Sequence, residues 1–106
     1  MDINKILENN VNDLNMALNL AEESSNDTLR KYVQERLQSI RNNQGIYQFI
    51  SVNSVVDSYI VDLELFYNLS SIVKDIDSKD YFKSKIIEMI KNFPYLSKRS
   101  SLEKIV

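Results

Sequence analysis

Between Ile46 and Ile76, apolar residues recur at steps of three and four: Val52, Val56, Tyr59, Leu63, Phe66, Leu69, Val73 and Ile76. That spacing marks one stripe of an α-helix. At about 100° per residue, Phe49, Ile60 and Tyr67 flank the stripe on one side and Leu65 and Ile72 on the other. Only a narrow band stays polar: Asn53, Asp57, Glu64, Asn68, Ser71 and Asp75. A helix apolar over most of its circumference must be covered by several neighbours. The stretch therefore predicts the central helix of a small all-α bundle, over residues 54–76. Ser54 and Asp57 have the spacing of a capping box, with Asp in place of the usual Glu or Gln. That leaves room for a short helix at 46–52 ahead of the long one.

Three further main helices follow from the same periodicity. Ile3, Leu7, Val11, Leu14, Leu18 and Ala21 form a seam over 3–22, with Asp2 as its cap and Glu8, Asn12, Asn15 and Asn19 on the solvated face. The seam suits a two-fold homodimer as well as a partner within the chain. Glu22 to Asp27 is a turn, and a second helix spans 28–42 with Leu29, Val33, Leu37 and Ile40 inward. Gly45 stands where a left-handed cap is expected. Asp77 and Ser78 precede a fourth helix over 79–92, with Phe82, Ile86, Met89, Ile90 and Phe93 inward, and Pro94 ends it. A short fifth helix from Ser97 or Ser100 fits the Ser100-x-x-Glu103 capping spacing. No internal repeat, low-complexity segment or linker is expected, so residues 1–106 read as a single helical domain.

Composition agrees with a helical reading. Glycine and proline occur once each in 106 residues, which favours helices on short connections over a β-rich fold. Without cysteine or histidine the chain has no thiol nucleophile, no cysteine-based metal site and none of the commonest general base. No apolar run approaches the ~20 residues a membrane span needs, and the first ten residues lack the pattern of a signal peptide. A cytoplasmic protein is the expectation.

Candidate chemistry is sparse. Asp75 to Asp80 resembles the start of a calcium loop, but Lys79 and Ile86 occupy ligand positions and the glycine is missing, so no metal is expected. Asp57 and Glu64 lie two turns apart on the polar band, where solvation explains them. No phosphate-binding, dinucleotide, zincin or nucleophile-elbow pattern occurs. No catalytic residue, no cofactor and no enzymatic activity are expected. Most of the six tyrosines and four phenylalanines fall at inward helical positions. Aromatics interleaved with cations, as a base-stacking surface needs, come together only at Tyr81–Lys85 and Phe93–Arg99.

Charge is uneven. Residues 1–78 hold six Lys+Arg and twelve Asp+Glu, a net −6, and residues 79–106 hold seven and three, a net +4. A basic end favours an acidic partner, nucleic acid among them. Within it, Phe93-Pro-Tyr-Leu-Ser-Lys-Arg99 resembles the turn before the recognition helix of winged helix-turn-helix proteins of the replication-initiation and DnaD type. The resemblance covers residues 83–106. It implies that Ser97 caps a recognition helix, that Lys98 and Arg99 touch phosphate, and that Ser100, Ser101 and Lys104 face the groove. The chain departs from that family at Ser100, usually Thr, and the wing is missing before Val106.

One charged pair is expected inside. Asp62 is the one acid on the apolar face of the central helix, and Arg36 the one strong charge in the second helix's stripe. Buried charges need partners, so an Arg36–Asp62 ion pair is expected, with a bond from Asp62 to Ser58 or a tyrosine, or a rotated helix that exposes it, as the alternatives.

By exclusion, the sequence predicts a small helical module that works by binding another protein. Immunity-type, inhibitor or regulatory subunits of phage or mobile-element origin are the kinds it would suit. It is similar to bacteriocin immunity proteins in size and helical character, although no motif links them. DNA binding through residues 83–106 is the alternative.

Overall fold

The computed structural model describes residues 2–106, and these are all-α. The main helices are α1 (Ile3–Glu23), α2 (Asp27–Asn42), α3 (Val52–Ile72) and α4 (Ile76–Asn92), followed by the single-turn α5 (Ser100–Glu103). Two 3-10 helices interrupt the connections, Tyr47–Phe49 and Pro94–Lys98. Contacts cluster into two units, which divide between Tyr59 and Ile60 within α3.

In the first unit, α1 packs along α2. A three-residue connection favours helices that run antiparallel. Asp2 caps α1 as expected, accepting from the Asn4 N–H at 3.1 Å. The core takes Leu14, Ala17 and Leu20 from α1, Leu29, Val33 and Ile40 from α2, and Val55, Val56 and Tyr59 from the first turns of α3.

The α1 seam is rotated from the apolar stripe. Ile6, Asn10, Asp13 and Ala17 are buried, while Ile3, Leu7, Val11 and Leu18 are only half-buried. Hydrogen bonding is the reason. The Tyr59 hydroxyl donates to Asp13, and Arg36 Nη2 donates to Asn10 Oδ1 at 3.2 Å. Polar groups with partners can enter a core that unpaired ones could not.

Gly45 is not left-handed: no glycine has positive φ. α2 ends instead with the Asn43 N–H on the Ser39 carbonyl, and a turn from Asn43 to Ile46 follows. α3 begins at Val52, not at 54, because Ser51 rather than Ser54 is the cap, its hydroxyl accepting from the Ser54 N–H at 3.2 Å.

α3 also ends four residues before the apolar stripe does. Lys74 takes a left-handed conformation, φ 60, and Asp75 caps α4 by accepting from the Ser78 N–H at 3.0 Å. α4 therefore starts at Ile76, ahead of the Asp77 and Ser78 that the sequence suggested. In the second unit the core holds Ile60, Leu63 and Phe66 of α3 and Phe82, Ile86 and Met89 of α4, with Phe66 and Phe82 ring centroids 5.4 Å apart. Leu96, Leu102 and Ile105 tie the C-terminal segment down.

The two helical hairpins correspond in length and in register. Positions 49 apart correspond: Ile3 with Val52, Glu23 with Ile72, Asn26 with Asp75 and Asp27 with Ile76 begin and end matching elements. α1 and α3 each have 21 residues, and α2 and α4 have 16 and 17. Asp13-Leu14 matches Asp62-Leu63, all buried, and Val33 and Ile40 match the buried Phe82 and Met89.

The two turns are also built alike. Ser25 and Lys74 are left-handed, with φ 53 and 60. The next N–H reaches back five residues in each, Asn26 to Ala21 at 2.8 Å and Asp75 to Ser70 at 3.0 Å. Asn26 and Asp75 then cap the following helix, Asn26 accepting from the Leu29 N–H at 2.9 Å. A non-glycine residue in this region carries a steric cost. Lys74→Gly is expected to stabilise the protein by up to about 1 kcal/mol, part of the relief being offset by glycine's entropy. Asp75→Ala is expected to cost about 1 kcal/mol as a lost cap. Urea midpoints measure both.

Candidate interaction surface

The rotation of α1 has a consequence at the surface. With Asn10 and Asp13 turned inward, Leu7 and Val11 move to the edge of the first unit. There they line an open cleft of about 410 Å³ with Ile40 and Tyr47 as its other apolar walls and Asn4, Glu8, Asn12 and Gln44 as its polar ones. A smaller cleft of about 240 Å³ lies on the other side of Leu7 and Tyr47, bordered by Asn10, Arg36, Ser39, Ser54 and Ser58 among others.

Beside these clefts stands the Tyr47–Phe49 helix. A 3-10 helix has three residues per turn, so side chains at i and i+3 eclipse. Ile46 and Phe49 are such a pair, joined by the Phe49 N–H to the Ile46 carbonyl at 2.9 Å. Both face solvent, Ile46 at 51% and Phe49 at 82% of full exposure. The sequence placed Phe49 against the stripe of the central helix. The helix starts three residues after Phe49, so the α-helical register never reaches it. Exposed apolar side chains grouped next to a partly apolar cleft, with polar residues at the rim, are what protein-binding surfaces are made of.

The residues assigned to groove contact by resemblance are spread differently. Ser97 does not cap a helix; its hydroxyl donates to the Pro94 carbonyl at 2.8 Å. Lys98, Ser100, Ser101 and Lys104 are exposed. Ser100, Ser101 and Lys104 border an open depression with Tyr67 and Asn68. Arg99 turns to Glu64, with Nε 3.3 Å from Oε1. α5 is one turn long, and Leu102 and Ile105 on either side of Glu103 and Lys104 are buried. Of the aromatics near the cations, Phe82 is fully buried against Phe66, while Tyr81 and Tyr95 are partly exposed.

Arg36 is half-buried on α2, in the first unit, and its guanidinium serves Asn10. Asp62 is on α3, in the second unit, and is fully buried, which removes the rotated-helix alternative. Among the described residues no group of three or more carboxylates is arranged to hold a metal ion, and no helix is long and apolar enough to cross a membrane. Compared with known protein families, curated proteins and solved structures, the chain matches none.

Proposed function

We propose that this chain acts by binding another protein, and that the first unit meets its partner through Ile46, Phe49 and the cleft walled by Tyr47, Leu7 and Val11. The observation that carries this reading is Phe49, a phenylalanine 82% exposed on a short hydrogen-bonded helix. Aromatic anchors of this kind dominate the energetics of protein interfaces. The open cleft next to it offers a partner side chain somewhere to go. An immunity-type, inhibitor or regulatory subunit would use such a face.

The alternative reading is contact with duplex DNA through Lys98, Arg99, Ser100, Ser101 and Lys104. Recognition helices place several side chains at base edges along a groove, and one docked turn with its arginine on Glu64 gives that reading less support. Affinity capture of the tagged chain from its native cell, with nuclease present, tests both. A specific protein is expected to be retained by the wild type and reduced at least tenfold in an Ile46→Ser/Phe49→Ser variant that keeps its circular dichroism spectrum. Capture that disappears on nuclease treatment, or that the double variant leaves unchanged, would overturn the proposal.

A further inference from the structure

The first unit carries an apolar projection and an apolar recess side by side. Phe49, 82% exposed, stands next to the cleft of Leu7, Val11, Ile40 and Tyr47 and is not one of its walls. The recess is large enough for the projection: a cavity of about 150 Å³ holds a benzene ring, and the cleft offers about 410 Å³. The rim is made of amides. Asn4, Asn12 and Gln44 border the cleft and Gln48 stands beyond Tyr47, all four exposed. A carboxamide both donates and accepts, so an amide rim is complementary to itself. Charge points the same way. The groups around this face are Asp2, Glu8, Glu35 and Asp57 against Lys5, Arg36 and Arg41, four acids to three cations and close to neutral. Such a face neither selects a strongly charged partner nor repels a copy of itself.

We propose that the partner at this face is a second copy of the chain, bound about a two-fold axis so that each Phe49 enters the other copy's cleft. The inference rests on the reading of Ile46, Phe49 and the cleft as a protein-binding face, and names what binds there. A two-fold contact needs one patch that holds both members of a complementary pair. Phe49 beside the cleft, and amides that match amides, meet that condition, and each contact is then made twice. The apolar seam of α1 is not the contact, because Leu14 and Ala21 of that seam are buried inside their own unit. Area is consistent with a weak dimer. Ile46 and Phe49 present roughly 300 Å², and the walls that take up the same two side chains lose about as much again. Each copy therefore buries roughly 600 Å² before the rim closes, at the low end of the standard size of ~800 Å² per partner. Such a dimer forms at high concentration and separates on dilution.

The test is sedimentation velocity of the full-length protein from millimolar to low micromolar concentration, with amide shifts of the nitrogen-15-labelled chain followed over the same dilution. A monomer–dimer equilibrium is expected, with the dilution shifts at residues 4–12 and 44–50. Phe49→Ser, which removes the projection, and Val11→Glu, which puts a carboxylate in the cleft, are each expected to weaken association at least tenfold. Asn12→Lys, at an exposed rim position, takes the place of Val11→Glu if that variant lowers the urea midpoint. Mixed in equal amounts, the Phe49 variant and the cleft variant bring one intact cleft to one intact Phe49, and the mixture is expected to associate more tightly than either variant alone. A wild type that stays monomeric at millimolar concentration, species larger than a dimer, dilution shifts elsewhere in the chain, or a mixture no tighter than its components would each overturn the proposal. A monomeric wild type that still captures a different protein through Ile46 and Phe49 removes only the second copy; a monomer that captures nothing removes the protein-binding reading as well.

Discussion

Replacing Phe82 with alanine is expected to cost about 3–5 kcal/mol of folding stability, the range for a fully buried aromatic. The same change at Phe49 is expected to fall within about ±0.5 kcal/mol, as for an exposed residue away from special features. Phe82 has no exposed surface and stacks obliquely on Phe66, at an interplanar angle of 53°. Its loss removes the transfer energy of the ring and leaves a cavity whose walls, Phe66 among them, cannot fully close. Phe49 has little packing to lose. Urea unfolding of the two variants side by side measures the difference. Equal costs would mean that Phe49 is packed in solution, and would remove the aromatic anchor from the proposed interface.

The second large effect is expected at Asp13 and Tyr59. Tyr59→Phe removes one hydroxyl from a site 1% exposed and deprives the buried Asp13 carboxyl of a donor. The expected cost is about 1–3 kcal/mol, the penalty of a buried polar group deprived of a partner. Asp13→Ala is expected at the upper end of that range, because it also opens space on α1. The double variant should cost less than the two together, since once the acceptor is gone the hydroxyl has less to lose. Additive costs, read from urea midpoints, would mean that the bond contributes nothing to holding Asp13 inside. The bond also bears on the proposed function. It keeps α1 in the rotation that sets Leu7 and Val11 at the cleft, so the Tyr59→Phe variant is a route to testing the surface without touching it.

Much of the architecture was legible in the chain because helical periodicity is local. Four main helices, the Asp2 cap, the polar Glu22–Asp27 turn and the stop at Pro94 all follow from residues within a turn or two of each other. The ends of α3 were less legible. Its apolar stripe continues in step through Val73 and Ile76, although the helix stops at Ile72, because Lys74 adopts a conformation that only the closure of the turn selects. At the matched positions the two hairpins share Asp13-Leu14 with Asp62-Leu63 and Asn19-Leu20 with Asn68-Leu69. Most other matched positions share only polarity or size, which periodicity alone would also produce. The correspondence of turns and helix lengths is visible only in the folded chain.

The surfaces were the least legible part. A hydrophobicity pattern ranks Phe49, Phe82, Ile72 and Leu63 alike, since each apolar side chain has the same reason to leave water. Which of them succeeds depends on partners distant in the chain. Tyr59 and Arg36 supply the hydrogen bonds that let Asp13 and Asn10 into the core, and with them the rotation that displaces Leu7 and Val11 outward. Where helices form could be read from the chain alone, because neighbours three and four residues apart decide it. Which apolar residues remain in solvent is set in the folded chain, because burial is a competition among side chains far apart in sequence, and hydrogen bonds let polar ones such as Asn10 and Asp13 win it.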